Sequence, residues 1–310
     1  MGSGRISLAN PIWPSVSGAM ARSQAIDTVA NNMANVNTDG FKKDVTTFKA
    51  YLKQAERSEF PNDIPKGPIT DSDFYPLDGR HKAWVTVDGT HALMKQGALK
   101  PTHRPLDIAI DGPGFFEVGT PEGVRYTRHG SFRVAKDGML VTTEGYPVLT
   151  SQPGGLATAL PATAVQSGQG GQTTQGGVAT DQGISPDLLA RTIKLTDVLE
   201  NPSGPLTVTE QGNIYSGADL IAKLSVVEFK KPAALAKRGQ NLFEDTLAQN
   251  RIPEQPRTLL RQGMIETSNV NPVEEMAEMI RQQRLFEHDL KAIQTFDQMM
   301  DKEVNDLGKL

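Results

Sequence analysis

The tripeptide Asn-Val-Asn occurs twice in this chain, as Asn35-Val36-Asn37 and as Asn269-Val270-Asn271, and each copy stands at the edge of a helical pattern. Upstream of the first copy, Val16, Ala19, Ser23, Ile26, Ala30, Met33 and Val36 recur in steps of three and four, the spacing of one face of an amphipathic helix. The stripe is narrow and its side chains are small. Pro11 and Pro14 fit only before or within the first turn, and Asn37-Thr38-Asp39-Gly40 supplies a stop with a residue able to take positive φ. Downstream of the second copy, Asn271-Pro272-Val273-Glu274 reads as an N-cap, a proline at the first helical position and a Glu placed to complete a capping box. Behind it Met276, Ile280, Phe286, Leu290, Ile293, Met300, Val304 and Leu307 keep mostly three-and-four spacing, with no Gly or Pro before Gly308. A helix of about 35 residues is near 50 Å long at roughly 1.5 Å per residue. That exceeds the width of a small domain, so its stripe needs cover from the first helix, from a neighbouring copy, or from both. The repeated tripeptide fits an antiparallel pair whose ends coincide.

Between the helices the apolar period changes to two. Ile108, Ile110, Phe116 and Val118, then Tyr126, Phe132, Val134, Leu140 and Val148, alternate along short runs broken by Asp111-Gly112, Asp137-Gly138 and Glu144-Gly145. These predict short strands joined by tight Gly turns. A second β run covers 206–229, with Gln211-Gly212-Asn213 as its turn, and 83–87 is strand-like. Residues 151–183 are mostly Gly, Gln, Ala and Thr with almost no large apolar side chain, which cannot add much to a core and reads as a mobile insertion. The expectation is an α+β chain in which the N- and C-terminal helices pair as an antiparallel coiled coil beside a central, mostly antiparallel β domain. Its divisions are 1–40 with 270–310 as a terminal helical assembly domain, 41–105 with 230–269 as an extended connector, and 106–229 as the β domain carrying the 151–183 insertion.

Composition removes several function classes. With 310 residues, 22% charged and a net charge of −4, the chain has no basic excess to draw it to nucleic acid or anionic lipid. No apolar run approaches the roughly 20 residues that cross a bilayer. Even the densest stretch, 220–229, is interrupted by Lys223 and Ser225. Residues 1–10 hold one positive side chain and no apolar core, so no cleaved secretory signal is expected, and Ile6 stands where a myristoylation signal wants Ser or Thr. Cysteine is absent, which removes disulfides, thiolate metal sites and thiol nucleophiles. His81, His91, His103, His129 and His288 fall at no metal-binding spacing. Gly112-Pro113-Gly114-Phe115-Phe116 begins like a dinucleotide fingerprint but has Glu117 where the third Gly belongs, and reads as a turn. No phosphate loop, nucleophile elbow or paired-histidine zinc motif occurs, so no catalytic, cofactor or metal residues are assigned. Glu274, Glu275 and Glu278 sit in the first turns of the last helix, where negative charge complements the macrodipole. Met276, Met279, Met299 and Met300 suit an adaptable interface. The rivals to a self-assembling subunit are a secreted cell-wall enzyme using an acidic pair such as Asp107 and Asp111, and an adhesin that displays the β region.

The run Ala30-Asn31-Asn32-Met33-Ala34-Asn35-Val36-Asn37-Thr38-Asp39-Gly40-Phe41-Lys42-Lys43 closely resembles the N-terminal signature of flagellar rod and hook proteins. Leu106-Asp107-Ile108-Ala109-Ile110-Asp111-Gly112-Pro113-Gly114-Phe115-Phe116, followed by Tyr126-Thr127-Arg128-His129-Gly130-Ser131-Phe132, is similar to the β domain of that family. Gly263-Met264-Ile265-Glu266-Thr267-Ser268-Asn269-Val270-Asn271-Pro272 looks like the approach to its C-terminal helix. The residues that carry the likeness are Asn31, Asn32, Asn35, Asn37, Gly40, Phe41, Gly112, Gly114, Phe115, Phe116, Asn269, Asn271 and Pro272. The resemblance implies a structural subunit of the basal-body rod, passed through the flagellar type III export apparatus without a cleaved signal. Such a subunit is then locked to itself and to other axial proteins in a rod that crosses the periplasm. Hook proteins usually carry a further outer domain, so a rod subunit is favoured. Residues 6–17 and the 151–183 insertion depart from the usual distal-rod pattern, which favours the proximal type. The expected assembly surface is Val16, Ile26, Met33 and Val36 with Met276, Ile280, Phe286, Leu290, Ile293, Met300 and Val304.

Overall fold

A computed structural model describes residues 12–53, 82–151, 184–195, 204–239, 241–253 and 257–307. The chain divides into two compact units: 1–34, 44–90 and 271–310 form one, and 35–43 with 91–270 form the other. The chain therefore leaves the first unit and returns to it twice.

In the helix unit, α1 (Ile12–Ala34) places Pro14 in its first turn, where a missing amide hydrogen breaks no helical bond. The strands β1 (Asp44–Lys53) and β2 (Lys82–Ala92) pair as a two-stranded sheet. The second helix, α2 (Pro272–Leu307), has 36 residues and at about 1.5 Å per residue is about 54 Å long. Its start follows the expected pattern: Asn271 accepts the Val273 amide through Oδ1 at 3.1 Å, and Pro272 takes the first helical position.

The β unit is built from short strands. They are β3 (Leu99–Pro101), β4 (Ile108–Asp111), β5 (Phe115–Thr120), β6 (Gly123–Thr127), β7 (Phe132–Val134), β8 (Leu140–Thr142), β9 (Leu206–Val208), β10 (Asn213–Ser216), β11 (Asp219–Lys223), β12 (Val226–Val227), β13 (Leu235–Lys237), β14 (Leu242–Asp245), β15 (Leu259–Gln262) and β16 (Met264–Glu266). A five-stranded sheet has the order β12-β5-β6-β14-β13, and its pairs are antiparallel. The remaining strands form β11-β10-β9 and the pairs β15-β4, β16-β3 and β7-β8. A single helical turn, Pro186–Leu189, returns the chain from the insertion.

Strand β5 explains how one small unit supports two cores. Successive side chains point to opposite faces of a strand. Phe115 enters a cluster with Tyr126, Phe229, Leu235 and Phe243, in which the aromatic rings meet edge to face at 4.8–5.8 Å. Phe116 and Val118 enter a larger cluster with Ile108, Ile110, Phe132, Leu140, Ile214, Leu224 and Leu260.

The expected turns at Gly112, Gly138, Gly145 and Gly212 all carry positive φ. The expected domain limits differ from the observed ones. Residues 230–269, read as connector, contribute β13, β14, β15 and β16 and bury Leu235, Phe243, Leu260 and Ile265 within the β unit. Strands of three or four residues show too few alternations to register as a period, which is why the sequence read them as extended chain. Of the other expected connector, 44–90 belongs to the helix unit and 91–105 to the β unit. The bulk of the 151–183 insertion, the segment 54–81 and residues 1–11 lie outside the described residues.

Candidate assembly interface

Small residues bring the two helices together. Along α1, Ala21, Ala25 and Val29 are buried at helical spacing, with Gly18 one turn earlier. A Cβ on Gly18 would lie 3.2 Å from Asp289 Oδ2, so the missing side chain lets α2 approach. Arg22 Nη1 donates to Gln282 Oε1 at 3.2 Å, and Asn32 Nδ2 donates to Glu275 Oε2 at 3.2 Å. The partner numbers fall on one helix as they rise on the other, so the helices run antiparallel. Among the residues sealed in this seam are Asn32, Glu275 and Gln282.

The large apolar side chains of α2 lie elsewhere. Val273 is 68% exposed, Met276 50% and Ile280 53%, and their i, i+3, i+7 spacing puts them on one face. Leu290 and Met299 are also exposed, as is Met20 on α1. Of the expected assembly residues, Val16, Ile26, Met33, Phe286, Ile293 and Met300 are half-buried, and Met276, Ile280 and Leu290 are exposed. Val36 lies past the end of α1 in a turn, and the side chain of Val304 is outside the described residues. Ser23 and Ala30, two of the positions read into the α1 stripe, are exposed. The stripe that meets α2 is instead offset and smaller. Ala19, also in the expected stripe, is buried, so the expected and observed faces overlap in part.

The two-stranded sheet is laid on α1 by polar contacts. Asn32 grips Asp44 on both backbone groups: the Asp44 amide donates to Oδ1 at 2.8 Å, and Nδ2 donates to the Asp44 carbonyl at 2.9 Å. The Thr46 hydroxyl donates to Thr28 Oγ1 at 3.0 Å, the Val85 amide donates to Ser17 Oγ at 3.3 Å, and the Arg22 guanidinium lies 5.8 Å from the Phe48 ring centre.

In the β unit, the signature residues build a buried junction between the segments at 39–43, 93–98, 128–129 and 263–269. Gly40 has φ +69°, and any Cβ there would meet the His129 and Arg128 backbone at 2.7–2.8 Å, so only glycine fits. Its amide donates to the Glu266 carbonyl at 2.7 Å. Phe41 is buried with the Lys237 ammonium 3.8 Å from its ring centre, and Lys237 Nζ also donates to the Lys42 carbonyl. Lys42 and Glu266 are both fully buried, with Nζ 2.5 Å from Oε1. The Gly97 amide donates to the same oxygen at 2.8 Å, and Arg128 Nη1 donates to the other, Oε2, at 3.2 Å. Burial pushes the pKa of Lys42 down, against the pull of Glu266, and does the same to Arg128. Asn269 closes the junction: the Lys43 amide donates to Oδ1 at 2.7 Å, and Nδ2 donates to the carbonyls of Leu93 and Lys95.

The other signature positions are structural too. Phe115 and Phe116 are core residues, and the Gly114 amide donates to Thr258 Oγ1 at 2.9 Å where a Cβ would strike Val226. Asn35 Oδ1 accepts the Thr38 hydroxyl in the turn after α1, and Asn31 and Asn37 are exposed. Both members of the acidic pair proposed for a rival enzyme have partners: Asp107 pairs with Arg104 at 2.8 Å and accepts the Ser131 hydroxyl at 3.0 Å, and Asp111 pairs with Arg261 at 3.6 Å. Buried Glu117 accepts from Ser225, Arg191 and Arg251. Among the described residues no group of His, Asp and Glu is arranged to hold a metal ion, and no helix is long and apolar enough to cross a membrane. Lys42, Arg128 and Glu266 were visible in the sequence only as ordinary charges, because nothing in one sequence pairs side chains 224 positions apart.

Residues 15–42 match the family described as flagella basal body rod protein. Residues 109–216 match the flagellar hook protein FlgE/F/G D1 domain, and 261–307 match the flagellar basal body rod FlgEFG protein C-terminal. The flagellar basal-body rod protein FlgG of Buchnera aphidicola (subsp. Schizaphis graminum) is 31% identical over 302 residues, 94% of this chain and 97% of that protein. The flagellar basal-body rod protein FlgF of Caulobacter vibrioides is 31% identical over 304 residues, covering 97% and 99%. The FlgG protein of Bacillus subtilis is 28% identical over 300 residues, covering 95% and 97%.

Proposed function

The chain belongs to the flagellar basal-body rod protein family, and from that premise we propose that it joins the rod by polymerising through its two terminal helices. It is a structural subunit of the basal body rather than an enzyme. The observation that carries the mechanism is the apolar face of α2, where Val273, Met276 and Ile280 stand in solvent on an isolated chain. Soluble monomers seldom leave such a face uncovered. In the rod, α1 and α2 wind as an antiparallel coiled coil, and the outward face of α2 packs on neighbouring copies and on other axial subunits. A head-to-tail contact that does not close on itself extends into a helical shaft. The chain reaches its place through the flagellar export apparatus, and the shaft crosses the periplasm. Its favoured place is the proximal rod, because residues 6–17 and the 151–183 insertion depart from the distal-rod pattern.

Asp in place of Leu290 or Ile293 tests the mechanism. Leu290→Asp and Ile293→Asp are expected to leave the β unit folded and to remove the chain from isolated basal bodies. Normal incorporation of both variants overturns helix-driven assembly. Electron cryo-microscopy of basal bodies from a strain lacking the chain tests the place: a proximal subunit leaves no distal rod or hook, whereas a distal subunit leaves a short rod stub.

A further inference from the structure

The small-residue face of α1 has a weakness as a mating surface. Gly18, Ala21, Ala25 and Val29 repeat at helical spacing, so sliding α2 by one turn replaces one small contact with another of nearly the same shape. Apolar packing of this kind fixes the orientation of two helices better than their register. The register has to come from something that does not repeat.

We propose that Asn32 sets the register of the α1–α2 pair, and that it does so only once β1 is docked. Its side-chain amide has one acceptor oxygen and two donor hydrogens to place. In the structure the oxygen takes the Asp44 amide, one hydrogen goes to the Asp44 carbonyl, and the other goes to Glu275. Asn32 and Glu275 are each about 1% exposed, so water does not substitute for either partner. A slip of one turn that brings Met279 opposite Asn32 strands a buried amide hydrogen and separates it from a buried carboxyl. Buried polar groups are costly when left without a partner, and the penalty exceeds what the bond contributes when made. The same side chain therefore rejects a slipped pair and, through Asp44, requires the first residue of β1 to be present. A single buried Asn that fixes register is a known use of a polar residue in helix pairing. Here the Asn also reads a strand.

This rests on the reading that the helix pair is the assembly module, and the test separates the two. The chain has no cysteine, so two introduced thiols are its only ones. Gly18→Cys with Asp289→Cys reports the native register, because a Cβ at Gly18 faces the Asp289 side chain. Gly18→Cys with Ile293→Cys reports a slip of one turn. In the full-length protein under mild oxidation, the native pair is expected to cross-link at least about tenfold more than the slipped pair. Adding Asn32→Leu should bring that ratio close to one. Glu275→Leu leaves the grip on Asp44 intact and should also lower the ratio, while Glu275→Gln keeps an acceptor and should preserve it. If Asn32→Leu cross-links in neither pair, Glu275→Leu decides. An unchanged ratio in Glu275→Leu overturns the proposal. If neither pair cross-links in the parent, the helix pair itself is wrong and both readings fall. Cross-linking as expected with normal rod assembly by both Leu290→Asp and Ile293→Asp would overturn only the assembly mechanism.

Discussion

The two units invert each other. In the β unit the large apolar side chains are inside: Phe115, Phe116 and Phe243 are fully buried, and the charges that accompany them, such as Lys42 and Glu117, are matched in place. In the helix unit the seam is made of Gly, Ala and polar side chains, while Val273, Met276 and Ile280 face outward. A fold that is complete in one chain hides its hydrophobic surface and neutralises what it buries. A fold that is completed by copies of itself keeps that surface outside until they arrive. The first description fits the β unit and the second fits the helices.

Four experiments press on that contrast, beginning with the largest effect. Glu266→Leu leaves Lys42 and Arg128 as two buried cations without their shared carboxylate, and should cost the β unit about 3–5 kcal/mol in chemical denaturation. A cost below about 1 kcal/mol would mean that the junction is not closed in solution. Asn271→Ala removes the cap of α2 and should lower helix-unit stability by about 1 kcal/mol, read from circular dichroism on heating. Met276→Gln with Ile280→Gln should change the stability of the isolated chain by no more than about 0.5 kcal/mol while removing it from the rod. A large loss of monomer stability there would show that the face is already covered within one chain. The smallest effect concerns pH. Burial holds the pKa of Lys42 below its ordinary 10.5, so between the two values the unfolded chain binds the extra proton and stability rises with pH. Tyr126 is shifted the other way, above 10.0, so stability falls as pH rises past that point. Lys42→Met should flatten the rise and Tyr126→Phe the fall, in denaturant midpoints measured from pH 8 to 11.

The parts legible in the sequence were those governed by local rules. The cap at Asn271-Pro272, the length of α2, the Gly turns and the strands from Ile108 to Thr142 all follow from spacing and from residues with special backbone preferences. What escaped depends on contacts far apart in the chain. Strands β13 to β16 are too short to show a period, and their place is fixed by partners such as β6 and β4. On α1, spacing alone did not separate Ala21, Ala25 and Val29, which are buried, from Ser23 and Ala30, which are exposed. Asn32 and Asn269 stood out as signature residues, yet their work is to hold backbone groups of Asp44 and Lys43, which no local pattern announces.

The bond between Lys42 and Glu266 also decides where a load would travel. Between these two residues the chain makes an excursion of more than two hundred positions, but the ion pair and the Gly40–Glu266 hydrogen bond span the gap directly. A pull on the segment entering at 35–43 is passed to the segment leaving at 263–270 through these few contacts. The sheet strung between them is bypassed, as a spring is bypassed by a bolt across its ends. The direct link between the two segments is therefore short, and it does not run through the five-stranded sheet.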